Sequence, residues 1–332
     1  MSFSAPFRSR AAVLAVSIAA LMPFSVLANP TVLQINSSLP DGSFAHAFLT
    51  EFKQRVEAEL PDQIDVQIFM GNTLGSEEDV LQGLGFGTHH ASLSASAVVQ
   101  INPRTAVFDL PYLFENRDKV QEFAASEAFG MLAEGFAGRG IVLAALWDNG
   151  FRVITNSVRP IVTPEDMQGL KIRTPTSRQR VAMFNTLGAN ATPLSFGEVY
   201  SGLDQGVIDG QENPAQIADS ARFYEVQSYM SLSNHVYLPT FMLFGEPWLN
   251  AQTEDVRDTV LRVAAETASW TFAWGEETDA RILEELADKI TINEVDFEAF
   301  QAASLPLYDD PLFVDAIGAD MIAVTRAVLG LD

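Results

Sequence analysis

Hydrophobic positions along the chain switch repeatedly between a two-residue and a four-residue spacing. Leu33 and Ile35 alternate with Val32, Gln34 and Asn36, which predicts a strand. Phe44, Phe48, Phe52, Val56 and Leu60 then recur at every fourth position and give one helix a continuous apolar face. Residues 65–70 read as a second strand, and 77–84 as a short helix after the turn "GNTLGSE". Further strands are expected at 91–96, 141–147, 171–174 and 207–208, with helices at 119–134, 177–187 and 196–205. Strand and helix alternate throughout, so the expected class is α/β. The stretch 253–289 is different. It has no Pro, and apolar or small residues at Val256, Val260, Val263, Thr267, Trp270 and Trp274 continue to Ile282 and Leu286 on one face. Such a helix would reach roughly 50 Å, longer than one small domain. Either it ties two domains together or it breaks at Gly275.

The first 28 residues follow another pattern. Arg8 and Arg10 precede an uncharged apolar run at 11–27, and small residues at Val26-Leu27-Ala28 suit a signal peptidase. This is the layout of a secretion leader cleaved after Ala28. Seventeen apolar residues interrupted by Pro23 are short for a bilayer span. With no Cys in the chain, a lipoprotein anchor and disulfides are both excluded, so core packing must stabilise the exported protein. The expected location is the periplasm.

Charge narrows the partners. Lys and Arg number 20 against 43 Asp and Glu, a formal net charge of −23 that deepens by two when the leader arginines are removed. Such a surface repels nucleic acid and anionic membrane. An anion site here needs positive charge held locally against the overall field.

Catalytic and metal signatures are absent from the sequence. The four histidines are His46, His89, His90 and His235, and the adjacent pair would point to opposite faces of a strand. No G-x-S-x-G, H-E-x-x-H or P-loop occurs, and "GLGFG" (83–87) lacks the spacing of a dinucleotide loop. The expectation is a non-enzyme without cofactor or metal. The arginines are more informative. Arg173 lies in "GLKIRTP", at the end of a predicted strand before Pro175, where open α/β sheets present ligand-binding groups. Arg152 follows "WDNG", again just past an apolar strand. A guanidinium fork suits a carboxylate; the alternative for each is an ordinary ion pair with one of the many acids. In "PLSFGEVYSGLDQG", Ser195 and Glu198 have the spacing of a capping box, and Phe196 and Tyr200 face the core or a cleft. "GVIDGQENPAQ" (206–216) reads as a strand exit at Val207–Ile208, a turn carrying Asp209, Glu212 and Asn213, and a helix start at Pro214.

Taken together, "WDNGFRVITNSVRPIVTPEDMQGLKIRTP" and "GANATPLSFGEVYSGLDQGVIDGQENP" resemble the core signature of solute-binding proteins of tripartite ATP-independent periplasmic (TRAP) transporters. "GNTLGSEEDVLQGL", "AVFDLPYLF", "FYEV" and the "NH" at 234–235 are similar to that family in the same order, so the resemblance spans nearly all of the chain beyond the leader. It implies a two-lobed periplasmic binding protein that closes over a small organic acid and delivers it to TRAP permease membrane subunits as a monomer. Arg173 matches the family's carboxylate clamp, Arg152 its support, Asn213 a ligand-contacting amide aimed from its turn at that carboxylate, and Phe196 a cleft wall. Glu212 and Asp209 would orient that turn. Glu77 matches the first-lobe acid and Asn36 the first strand end. The segment "ASLSASA" (91–97) lacks the charges found in some relatives, sialic acid binders among them. A C4-dicarboxylate, an oxo- or hydroxy-acid or a uronic acid is therefore expected, and a Glu77 facing the ligand favours hydroxyl-rich acids. By resemblance, lobe one is 29–150 plus about 239–278, and lobe two 151–238 plus about 279–332, with the long helix spanning both. A sensory module presenting the ligand to a membrane kinase is the alternative function.

Overall fold

The computed structural model describes residues 1–3 and 29–331; apart from its first three residues, the expected leader lies outside the described residues. The strands in chain order are β1 (Thr31–Asn36), β2 (Ile64–Phe69), β3 (Ala91–Ser94), β4 (Ile141–Trp147), β5 (Arg152–Asn156), β6 (Lys171–Thr174), β7 (Asn190–Pro193), β8 (Gly210–Pro214), β9 (Tyr229–Leu232), β10 (Thr240–Gly245) and β11 (Thr291–Glu294). The helices are α1 (Phe44–Glu59), α2 (Glu77–Phe86), α3 (Arg117–Ala124), α4 (Glu127–Ala137), α5 (Arg178–Thr186), α6 (Val199–Asp204), α7 (Ala215–Ser220), α8 (Glu246–Asn250), α9 (Glu254–Ala287), α10 (Phe297–Ser304), α11 (Pro311–Ile317) and α12 (Ala319–Leu329).

These strands form two sheets. One has the order β2-β1-β3-β10-β4, the other β11-β9-β5-β8-β6-β7. In the first, β1 runs parallel to β2 and β3, while β10 is antiparallel to β3 and β4. In the second, β5 is antiparallel to both β8 and β9, and β6 is parallel to β7 and β8. The chain passes between sheets at 148–151, at 233–239 and along α9. The first two passages lie side by side: Phe151 bridges Tyr237, and the Arg152 N–H donates to Val236 O at 2.9 Å.

The apolar stripe of α1 is buried as its spacing demands. Phe48 packs edge-on against Trp147 of β4 and against Trp270 and Trp274 of α9. The Trp147 indole N–H donates to Ala264 O at 2.8 Å, so the large ring is buried with its one polar atom satisfied. Helix α9 is 34 residues long and is capped by Thr253, whose side chain accepts from the Val256 N–H. It runs unbroken through Gly275, and the reason lies in packing. A Cβ there would sit 1.8 Å from Asp148 Oδ2, so the absent side chain permits close approach of the first crossing segment to the helix.

Three sequence expectations are corrected. The helix expected over 119–134 is two helices, because Ser126 caps α4 by accepting from the Ala128 N–H. Residues 207–208 are not a strand. The chain turns at 206–209, with Gly206 at φ +67°, and the strand is the polar run Gly210–Pro214. Gly210 fits there because a Cβ would meet Thr155 O of the neighbouring strand at 2.2 Å. Asn213 therefore projects from a central strand rather than from a turn. Pro214 lies just before α7, as its N-cap.

Candidate functional site

A pocket of about 690 Å³, counting the space open to solvent, lies between the two sheets. Arg152, Arg173, Phe196 and Asn213 line it from the second sheet and its loops; Glu77, Asn72, Leu93 and Thr240 line it from the first. Five of the six residues singled out in the sequence thus meet in one place. The sixth, Asn36, ends β1 nearby but is not in the lining; it is buried, and neither side-chain polar atom has a partner in the protein.

Strand pairing explains the basic side of the pocket. Arg152 faces Pro214 across the β5–β8 ladder, so Glu212, two residues back, lies diagonal to it on the same face. Arg152 donates from Nε to Glu212 Oε2, and from Nη2 to Glu212 Oε1 at 3.0 Å, Glu212 O at 2.7 Å and Asn213 Oδ1 at 2.9 Å. Glu212 also accepts from Arg180 Nη1 at 2.8 Å, and its Oε2 meets His235 Nε2 at 3.2 Å. Arg180 donates from Nη2 to Asp109 Oδ1 at 2.5 Å, and Asp109 in turn accepts from Ser177 Oγ at 2.8 Å. Two arginines and two acids thus form a buried, internally neutral network, with Arg180 Nε left without a partner. Burial would raise the Glu212 carboxyl, but Arg152, Arg180 and His235 together hold it far below the usual carboxylate range. Burial lowers His235 below its ordinary value, so its ring is neutral at pH 7.

Arg173 stands apart from this network. It is 3% exposed and pairs with Gln211 in the parallel β6–β8 register. Its Nε and Nη2 both donate to one backbone oxygen, Leu194 O, at 2.9 and 2.6 Å. Among the described residues it forms no ion pair, and Nη1 has no acceptor. Burial brings its pKa down to about 10, with Glu212 opposing the drop and Arg152 adding to it. The guanidinium therefore remains charged at neutral pH, fixed by a carbonyl and aimed along the pocket.

The first-sheet side is built differently. Glu77 opens α2 behind the capping box of Ser76 and Asp79. Its Oε1 accepts from the Ala95 N–H at 2.6 Å and the Ala97 N–H at 3.4 Å. Burial pushes its pKa up to about 7; those amides and Arg173 pull the other way, and Glu78 adds to the rise. Asn149, buried at the first crossing, has no protein partner for either end of its amide, and Asn72 has none for Oδ1. At the mouth, Thr176 Oγ1 donates to Glu78 Oε1 at 2.7 Å and accepts from Gln100 Nε2 at 2.8 Å, joining the two sides. Phe196 lies on a single tight turn where the expected Ser195–Glu198 box is present, and its ring packs on Phe223.

Sequence reasoning missed Arg180, Asp109 and Asn149. Arg180 sits on the buried face of α5 one turn before Phe184, and a cation on an apolar stripe was its signal. Asp109 and Asn149 stood inside the quoted motifs "AVFDLPYLF" and "WDNG" without a visible partner.

Known proteins resemble this chain in sequence and fold. Residues 35–313 match the profile of the bacterial extracellular solute-binding proteins, family 7. The C4-dicarboxylate-binding periplasmic protein of Vibrio cholerae serotype O1 is 33% identical over 261 residues, covering 76% of this chain and 78% of its own. The sugar acid binding protein of Advenella mimigardefordensis, solved in complex with galactonate, superposes with a TM-score of 0.87 at 26% identity, covering 91% of this chain and 98% of its own. A TRAP periplasmic solute binding protein of Sulfurospirillum deleyianum with bound succinate gives a TM-score of 0.85 at 27% identity, covering 91% of this chain and all of its own (100%). Two sheets, a cleft between them and a helix across both make this a two-lobed periplasmic binding protein fold.

Proposed function

The chain belongs to family 7 of the bacterial extracellular solute-binding proteins, and from that footing we propose that it captures a small organic acid in the periplasm, without converting it, and delivers it to the membrane subunits of a TRAP permease. One observation carries this reading. Arg173 is a buried, charged guanidinium with no carboxylate beside it among the described residues. A buried charge of this kind is costly unless it is paired, and a ligand carboxylate supplies the pair through charge-assisted hydrogen bonds. Arg152 and Asn213 complete the anchoring frame, with Glu212 holding Arg152 in place. Phe196 covers the carbon chain, while Glu77 and Asn36 serve the far side.

In this reading lobe one comprises 29–150 with about 239–278, and lobe two 151–238 with about 279–332. Closure of the lobes removes water and strengthens each polar contact. A ligand that prefers the closed form shifts the equilibrium by its difference in affinity for the two forms. The leader at 1–28 is removed on export, and the mature protein acts as a monomer. The ligands bound in two solved relatives, galactonate and succinate, fit the same chemistry of one anchored carboxylate.

Calorimetric titration of the mature protein, freed of carried-over ligand by partial unfolding and dialysis, against a panel of organic acids tests capture. Arg173→Ala should lose about 2–5 kcal/mol of binding, with the melting point of the ligand-free protein unchanged or raised. Wild-type affinity in that variant removes Arg173 as the clamp. Delivery is tested by uptake of the labelled acid in cells lacking the gene. Uptake should vanish and return with a plasmid copy, and undiminished uptake would end the transport reading.

A further inference from the structure

We infer that this cleft selects a polyhydroxylated monocarboxylate, such as an aldonate or uronate, over a dicarboxylate, and that Glu77 is the residue that makes the choice. The inference rests on the capture reading above and deepens it.

The charges facing the pocket allow one carboxylate. Arg152 is neutralised by Glu212 within the protein, which leaves Arg173 as the lining cation without a carboxylate among the described residues. Opposite it, the lining carries Glu77 and Glu78 and no further Lys or Arg. Glu78 accepts from Thr176 at the mouth. Glu77 is held deeper: its Oε1 is fixed by two backbone amides, which leaves Oε2 without a protein partner and not sealed from the pocket. A ligand whose first carboxylate lies on Arg173 would bring a second one against these two acids. Like charges so placed in a water-poor cleft repel and weaken binding.

Uncharged groups around the pocket suit hydroxyls. Asn149 offers an unpartnered donor and an unpartnered acceptor, both buried, and Asn72 an unpartnered acceptor. A methylene chain answers neither, and leaving such groups unpaired is unfavourable. A ligand hydroxyl donates and accepts at once, so it can answer Glu77 Oε2 directly, while the sealed amides of Asn149 and Asn72 in the same lining are reached only if the wall shifts to admit it. The titration of Glu77 adds a pH signature. With its pKa raised to about 7 by burial, it is ionised at pH 8 and largely protonated at pH 6, where it no longer repels a second carboxylate. The charged groups facing it are Glu78 on its own helix and Arg173 and Arg152 from the opposite sheet.

The test is titration of the mature, ligand-freed protein at pH 8 and pH 6 with galactonate, glucuronate, galactarate (the diacid of the same carbon skeleton) and succinate. At pH 8 a monocarboxylate of this set should bind roughly 100-fold more tightly than galactarate and succinate, and the gap should shrink at pH 6. Glu77→Gln should weaken the monocarboxylate and narrow the gap at both pH values, removing its pH dependence. Succinate or galactarate binding as tightly as the sugar acids at pH 8 overturns the inference and leaves capture standing. A preference for the monocarboxylate that survives Glu77→Gln and does not vary with pH overturns the role of Glu77. Should the variant not fold, the pH dependence of the wild type decides alone. Binding by none of the four, or by any of them equally well in Arg173→Ala, counts instead against the capture reading on which the inference depends.

Discussion

The two sides of the cleft hold polar groups in opposite conditions. On the side of the second sheet, Glu212 meets Arg152, Arg180 and His235, and Asp109 closes the chain through Arg180 and Ser177. On the side of the first sheet, Asn149, Asn72 and nearby Asn36 are buried or half-buried without protein partners for some or all of their amide atoms. Apart from Arg180 Nε and the free end of Arg173, the second-sheet side is a frame fixed before any ligand arrives. The other carries groups whose satisfaction depends on what enters. Stability should therefore reside on the first of these sides, and discrimination between ligands on the second.

The largest test of that contrast is Glu212→Ala. Removing the shared acid leaves Arg152 uncompensated and Arg180 half-compensated in a buried site, and breaking such a pair costs about 3–5 kcal/mol. Urea unfolding of the ligand-free protein should show this loss, and an unchanged midpoint would contradict the frame. Next in size is the pH dependence of the ligand-free protein. Burial raises the Glu77 carboxyl from its ordinary value of 4.5 to about 7, so its contribution is fully present below about 4.5 and lost as pH rises through about 7. Glu212 has the opposite sign: its folded pKa is depressed, so its contribution is present above the unfolded value and is lost as pH falls. Glu77→Gln should remove about 1–3 kcal/mol of the decline between those limits, read as a flatter profile of Tm against pH. The smallest effect expected is that of Asn149→Ala, about 1 kcal/mol of ligand binding with no loss of ligand-free stability. A destabilised Asn149→Ala would erase the distinction between the two sides.

Much of the frame was legible because its signals are local. The spacing of Phe44, Phe48, Phe52 and Val56 marks α1, and α9 shows the same periodicity for its whole length. The polar strand β8 was not legible, for a physical reason. Gly-Gln-Glu-Asn-Pro has no apolar periodicity because its burial is balanced by hydrogen bonds to residues far along the chain. Glu212 finds Arg152 60 residues away, and Arg180 finds Asp109 at 71. A reading of neighbouring residues sees the acid without its partners. The same applies to the site. Motif positions brought Arg173, Arg152, Asn213, Glu77 and Phe196 to attention, but only the three-dimensional arrangement separates the neutralised Arg152 from the unpaired Arg173.

Gly275 gives α9 a mechanical character. The helix touches the first crossing segment there, beside Asp148, and Arg117 holds that point by donating to Asp148 Oδ1 at 2.9 Å and to Asp279 Oδ2 at 2.6 Å. Measured from this fulcrum, the helix is a lever with unequal arms, roughly 32 Å toward Glu254 and roughly 18 Å toward Ala287 at 1.5 Å per residue. For any small rotation about it, the end nearest α8 travels nearly twice as far as the end that leads into β11. Because the long arm is fastened to the first sheet, with Trp147 of β4 donating to Ala264 O, any such rotation would carry that sheet along with it.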